Sequence, residues 1–268
     1  MLDDSMIQTI ARQGRIYDLG QPLSNNMPGH PNHPPFIFTL MRRHGDVCRP
    51  NGYSSANELV VLSGHTGTHL DGLGHISEEG KLYGAVDAVE DQTSAGGLRS
   101  RGVETVAPIV ARGVLLDVAL RRGVDVLPGG SAITAEELSA TAAAEGVEVC
   151  SGDVVLIRTG WIRYWDDVSA YRGEKEGNPG PDASAAEWLA SRGVRATGTD
   201  TIPYEVTRPN DPSMPVHMIL IARNGIHIME MVNLEDLARD RVYSFLFVVL
   251  PLKIVGGTGS PVRPIAIA

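Results

Sequence analysis

The apolar positions of this chain fall in short, dense runs separated by polar and glycine-rich stretches. "LVVLSGH" (59–65) is a β-rich run. "RGVLLDVA" (112–119) and "GDVVLIRTGW" (152–161) are rich in Val, Ile and Leu and bounded by glycine. Apolar runs of that length without polar alternation suit strands buried on both faces. "VRATGTD" (194–200) reads as another strand, and "YSFLFVVLPLKI" (243–254) as a last one, ending at Pro251 or passing it through a bulge. Helical segments lie between them. "TAEELSATAAAEG" (134–146) opens with Thr134 and Glu137 at capping-box spacing and closes at Gly146. "DASAAEWLASRG" (182–193) has Asp182 or Ser184 as cap and Gly193 as stop, and "NLEDLA" (233–238) predicts a short helix. Residues 22–35, "PLSNNMPGHPNHPP", hold five prolines and predict an extended loop.

Strands and helices alternate in the middle of the chain, whereas strands follow one another near both ends. The pattern predicts an α/β fold with a mixed β-sheet. No repeat, low-complexity tract or linker divides residues 1–268, so one domain is expected. The net charge of −9 disfavours nucleic acid and anionic membranes as partners. No apolar run reaches the ~20 residues that a membrane helix needs. The N-terminal "MLDDSMIQTI" lacks the features of a secretory signal, and two cysteines, Cys48 and Cys150, are too few for a disulfide framework. A cytoplasmic protein with reduced thiols is expected.

Against this background the segment "GHTGTHLDGLGH" (64–75) stands out. Three of the chain's eight histidines, His65, His69 and His75, fall within eleven positions, with Asp71 among them. His65, His69 and Asp71 are the side-chain types that bind Zn²⁺ or Mn²⁺. On a helix, Asp71 would point away from the two histidines. On a straight strand, His65 and His69 would stand ~13 Å apart, too far to share an ion. The backbone must therefore bend between them, and Gly67 is where a bend costs least. His75 lies four residues beyond Asp71, and imidazole chemistry suits it to moving a proton near neutral pH. His217 and Glu230 are further candidates, because an unpaired carboxylate at the end of an apolar run would be costly. His227, three residues before Glu230, reads as structural. "GGTGSP" (256–261) opens no helix and is no phosphate loop, and no Gly-x-Ser-x-Gly elbow is present.

His65-x-Gly67-Thr68-His69-x-Asp71-x-x-x-His75 resembles the signature of the metal-dependent cyclase-family hydrolases, which include kynurenine formamidase and isatin hydrolase. "IYDLGQPLSNNMP" (16–28), "GDVVLIRTGW", "GTDT" (198–201), "PVH…GIHIMEMVNLEDL" and "PLKIVGGTGSPVRPIAI" follow in the family's order, so the resemblance covers nearly the whole chain. It implies a swivelling β/β/α domain assembled as a homodimer or homotetramer. It implies His65, His69 and Asp71 as metal ligands and His75 as proton carrier. It also implies that His217 and Glu230, with the shared Asp71, hold a second zinc in formamidase-type members, against a single Mn²⁺ in isatin-hydrolase-like ones. Leu73 stands where the signature commonly has proline, and residues 29–58 form an extended region. Both lean towards the isatin-hydrolase-like branch.

The expected activity is hydrolysis of a small-molecule amide, often cyclic, or of a lactone, with one or two ions of Mn²⁺ or Zn²⁺. His75 would carry the proton, and Glu230 would serve as ligand or base. Aryl formamide hydrolysis, a cyclase or lyase reaction, and metal or ligand binding without turnover are the alternatives. Thr68 is either bonded to a ligand residue or a turn-stabilising hydroxyl. Phe36, Tyr53, Trp161 and Trp165 flank loops that could stack on an aromatic substrate, with ordinary packing as the competing reading.

Overall fold

The computed structural model describes residues 4–211 and 213–268. A nine-stranded mixed sheet organises the chain. Its strands are β1 (Ile16–Asp18), β2 (His69–Asp71), β3 (Ile109–Asp117), β4 (Val154–Arg158), β5 (Ala196–Thr199), β6 (His227–Glu230), β7 (Ser244–Val249), β8 (Gly259–Pro261) and β9 (Ile265–Ile267). The spatial order is β1-β9-β7-β3-β4-β5-β6-β2-β8. β3 to β6 are parallel neighbours, as the alternation of strands and helices predicts. The strands from the two ends of the chain close the sheet antiparallel on either side.

β4 shows why the central runs are continuously apolar. Successive side chains of a strand point to opposite faces. Val155 and Ile157 enter one core cluster, with Leu138 and Leu189 from helices Ala135–Glu145 and Ala183–Ser191. Val154 and Leu156 enter the opposite cluster with Phe245, Phe247 and Leu237. Both faces are covered, and each such side chain contributes about 1.5–3 kcal/mol by leaving water.

The helix boundaries follow local chemistry. Helix Ala135–Glu145 is capped by Thr134 Oγ1, which accepts from Glu137 N at 3.3 Å, and it stops at the left-handed Gly146. Glu137 does not complete a capping box; its carboxylate is taken by Arg122 Nε at 2.6 Å. Asp182, not Ser184, caps Ala183–Ser191, and Ser184 Oγ donates to Asp182 Oδ1 at 2.6 Å. β7 ends at Val249, so Pro251 lies beyond the strand and no bulge is needed.

The run at 59–65 meets a different fate. Asn57–Val61 pairs with Ile37–Arg42 in a hairpin apart from the large sheet, and every residue of both strands is exposed. An apolar run marks a strand without saying what covers it.

Glu145 ends its helix half-buried, with its carboxyl group turned inward. Oε1 accepts from Asp117 N at 2.8 Å, and Oε2 is buried with no partner. Burial, aided by the nearby Asp117 charge, pushes its pKa up to about 8 despite that N–H bond. The folded chain thus holds a proton that the unfolded chain releases near pH 4.5. This contribution to stability is complete below pH 4.5 and is lost as pH rises through 8. Glu145→Gln should therefore raise the melting temperature by roughly 2–4 °C at pH 8 and by less at pH 5, read by paired thermal melts.

Candidate metal centre

β2 is only three residues long, and it is wedged between β6 and β8. Its register sets Glu230 of β6 directly opposite His69, and Gly259 of β8 opposite Asp71. His65 reaches the same point from the preceding turn. Gly67 adopts a left-handed φ of 59°, the bend that the spacing of the histidines requires. Gly259 leaves room for the His65 ring, since a Cβ there would lie 2.6 Å from His65 Cε1. Thr68 proves to be a clamp: its hydroxyl donates to Met231 O at 2.7 Å and accepts from Gln21 N at 2.9 Å.

Each histidine has one nitrogen fixed and the other aimed inward. His65 Nε2 meets Thr258 Oγ1 at 2.9 Å, and His69 Nδ1 donates to Gly67 O at 2.7 Å. His217 Nδ1 meets Glu205 Oε1 at 2.6 Å. The free nitrogens converge on carboxylate oxygens. His65 Nδ1 lies 2.7 Å from Asp71 Oδ1 without hydrogen-bond alignment. His69 Nε2 lies 3.3 Å from Glu230 Oε2, and His217 Nε2 lies 3.3 Å from Glu230 Oε1 and 3.7 Å from Asp71 Oδ2. One ligand atom from each of His65, His69 and Asp71 falls within 4.8 Å of the others, and the same holds for Asp71, His217 and Glu230. Asp71 belongs to both trios.

This donor set fits a divalent cation. Among the described residues, six buried side-chain polar atoms lack a hydrogen-bond partner, and four belong here: His65 Nδ1, His69 Nε2 and both oxygens of Asp71. Burying unpaired polar atoms is expensive, and natural interiors avoid it unless an ion, water or catalytic role explains them. The nitrogen and oxygen donors match Zn²⁺ or Mn²⁺.

His75 lies beside the cluster without an inward-aimed carboxylate of its own. Its ring centroid is 4.1 Å from that of His65 and 6.3 Å from that of His217. Burial, reinforced by the neighbouring imidazoles, pulls its pKa down to about 4 against the opposing pull of Asp71. At neutral pH His75 is therefore an uncharged base. His227 Nδ1 donates to the Asp71 backbone oxygen at 2.9 Å and faces away from the cluster, a structural role.

Residues that the local sequence pattern did not reveal support this core. Glu205 is buried and accepts from Val216 N and His217 N, both at 3.0 Å, besides holding the His217 ring. It lies in a polar stretch with no periodic or motif signal. The residues beside two site carboxylates, Tyr204 and Met231, are buried with φ of 56° and 55°. Such conformations cost about 1–3 kcal/mol each and are kept where the surroundings hold them. Thr68 and Thr201 hold Met231 by its backbone, and Thr197 holds Tyr204 by its hydroxyl.

A cavity of 860 Å³ opens over His65 and Gly67, walled by the proline-rich loop, Phe36 and Arg172. His30 and His33 join it, with the His33 ring 5.0 Å from that of His65. Of the four aromatic candidates, Phe36 alone lines this cavity. Trp161 is buried and donates Nε1–H to Tyr171 O at 2.8 Å, Trp165 packs on Tyr171, and Tyr53 is exposed under the Arg49 guanidinium. Leu73 packs against the apolar cluster between helices and sheet rather than on the cavity wall. Glu205→Ala should lower stability by about 3–5 kcal/mol, because it strands the His217 ring and two buried N–H groups. Denaturant unfolding checks this.

Comparison with known proteins follows the same geometry. The Cyclase family model matches residues 17–206, most of the chain. Isatin hydrolase of Roseibium aggregatum is 27% identical over 214 residues, covering 78% of this chain and 73% of that protein. Kynurenine formamidase of Bacillus cereus is 28% identical over 253 residues, covering 92% of this chain and 95% of that protein. Among solved structures, a protein described as a novel cyclase superposes with a TM-score of 0.87 at 27% identity, covering 100% of this chain and 94% of the other. Isatin hydrolase A of Ralstonia solanacearum superposes with a TM-score of 0.75, also at 27% identity, covering 98% and 96%. From its sequence match and its fold alike, the chain belongs to the Cyclase family.

Proposed function

We propose that this protein is a metal-dependent hydrolase of amide carbon–nitrogen bonds, cyclic amides such as isatin first, with the acyl carbon–oxygen bond of lactones as the next candidate. One observation carries the reading: two buried trios of candidate ligands share Asp71, and a half-buried imidazole, His75, stands beside them with its ring centroid 4.1 Å from that of His65. The likeness to isatin hydrolase and kynurenine formamidase points to the same bond type. One or two ions of Mn²⁺ or Zn²⁺ are assigned here: His65, His69 and Asp71 would hold the first, and His217 and Glu230 with Asp71 would hold a second where two bind. A bound dication supplies Lewis acidity to the attacking water and to the scissile carbonyl. His75 takes a proton from the water as its oxygen bonds to the carbonyl carbon. As the carbon–nitrogen bond breaks, the same ring nitrogen returns that proton to the leaving nitrogen. Glu205 acts through His217, holding Nδ1 so that Nε2 faces the centre.

Aryl formamide hydrolysis is the second reading, favoured by the fuller coverage of this chain by kynurenine formamidase, 92% against 78%. A screen of the Zn²⁺- and Mn²⁺-loaded protein against isatin, N-formylkynurenine, cyclic imides and lactones separates the two. His75→Ala should lower kcat by about 10²–10⁴ with metal content unchanged. Full turnover in that variant would remove the assigned proton carrier. Chelation should abolish hydrolysis while leaving the circular dichroism spectrum intact; unfolding on chelation would instead favour a structural metal.

The partner reading is a small-molecule substrate and a homodimer or homotetramer, in the cytoplasm. Exposed apolar residues of the hairpin support the assembly, with Phe38 and Val60 directly opposite each other. A two-stranded hairpin is marginal without cover. Both cysteines are free, and among the described residues no helix is long and apolar enough to cross a membrane. Phe38→Glu with Val60→Glu should give a monomer by light scattering where the unaltered chain is larger.

A further inference from the structure

We infer that the cavity over the metal centre selects substrates bearing an anionic group, a carboxylate first, held by Arg172 beside the proline-rich loop. The inference rests on the amide-hydrolase reading for the identity of the reacting bond, but its own basis is the charge and geometry of the cavity wall.

The chain carries a net charge of −9, yet no Asp or Glu lines this 860 Å³ cavity. Arg172 is the wall's one permanently charged side chain. Its position is fixed from one side: Nε donates to Gly29 O at 2.9 Å, tying it to the loop that forms the opposite wall. The forked end remains open. Its nearest carboxylate is Glu174, 4.0 Å from Nη1 and beyond hydrogen-bond distance. Three other arginines are engaged more closely: Arg112, Arg223 and Arg263 each place a guanidinium nitrogen 2.6 Å from a carboxylate oxygen. A planar guanidinium with free N–H groups matches a carboxylate in two-point contact.

Two imidazoles extend the donor set. His30 Nδ1 accepts from Asn32 N at 3.3 Å, which assigns its proton to Nε2. His33 Nδ1 is buried with no partner. Both rings line the same cavity as Arg172. The wall thus offers one guanidinium and two imidazoles and no acid of its own. The cavity size lies within the range of small-molecule sites.

The test uses the full chain loaded with Zn²⁺ or Mn²⁺ and a matched substrate pair: formanilide, and the 2-, 3- and 4-formamidobenzoates that add only a carboxylate. At least one formamidobenzoate should show a KM about tenfold or more below that of formanilide. Arg172→Met should erase that advantage by raising KM for the formamidobenzoate at least tenfold more than for formanilide, and Arg172→Lys should restore part of it. Equal KM values across the pair in the unaltered protein would overturn the inference. So would an equal loss on both substrates in Arg172→Met, which would reduce Arg172 to a loop anchor. If neither amide is hydrolysed, the amide-hydrolase reading fails separately. Calorimetry then decides this inference alone. Benzene dicarboxylates should bind more tightly than benzoate, and only while Arg172 is present; equal binding would sink it.

Discussion

Asp71 is a carboxylate sealed in the protein interior with no hydrogen-bond donor to either oxygen. That one constraint orders the structure around it. A buried carboxylate is tolerated only beside positive charge, whether protons on neighbouring imidazoles or a metal ion. Burial pushes its pKa up, but the surrounding imidazoles outweigh burial and hold it far below the ordinary range. Much of the local architecture keeps those rings turned the right way. Thr258 fixes His65, the Gly67 carbonyl fixes His69, and Glu205 fixes His217. Each outer partner leaves one nitrogen facing inward, so donor direction comes from the second layer of contacts rather than from the ligands themselves.

The sheet supplies the meeting point. A parallel core of β3 to β6 needs both faces covered, and the two apolar clusters do that. β2 then enters antiparallel at the end of this core, which brings His69 level with Glu230 across one register pair. A slip of one residue would turn His69 and Asp71 to the opposite face. The Gly67 bend and the wedging of β2 between two neighbours hold the register where function needs it.

How much of this was legible in the sequence depends on chain distance. Residues 65, 69 and 71 sit within one turn and a three-residue strand, so spacing alone demanded a bend and named Gly67. The helix ends were equally local, set by Thr134, Asp182 and the left-handed glycines. His217 and Glu230 lie some 150 residues away, and resemblance to the family supplied their roles. Glu205 was invisible because its importance arises only when the fold packs it under His217. The residues of 59–65 revealed the limit of reading hydrophobic runs: Leu59, Val60 and Val61 form a strand, as their composition asks, but on a hairpin where their side chains stay exposed. The aromatic residues divide between the two readings the sequence left open: Phe36 lines the cavity, whereas Trp161 is a packing residue with its N–H satisfied inside the protein.

The same electrostatics separates this centre from a structural metal site. Burial pushes the His69 and His217 imidazoles down, but the carboxylates of Glu230, Asp71 and Glu205 outweigh it. The two pKa values rise to about 9 and about 10. In the metal-free protein these two protons offset the buried carboxylates. Their contribution to stability is complete below the ordinary imidazole range near pH 6.5 and is lost as pH climbs through 9 and 10. A dication takes over that task by displacing protons, so the fold has an internal substitute for the ion at neutral pH. The two apolar clusters, moreover, draw most of their side chains from β3 to β7 and the helices, with Leu70 of β2 joining one of them. A centre that can trade protons for an ion fits the proposed role, chemistry at the ion, better than a role of holding the chain together.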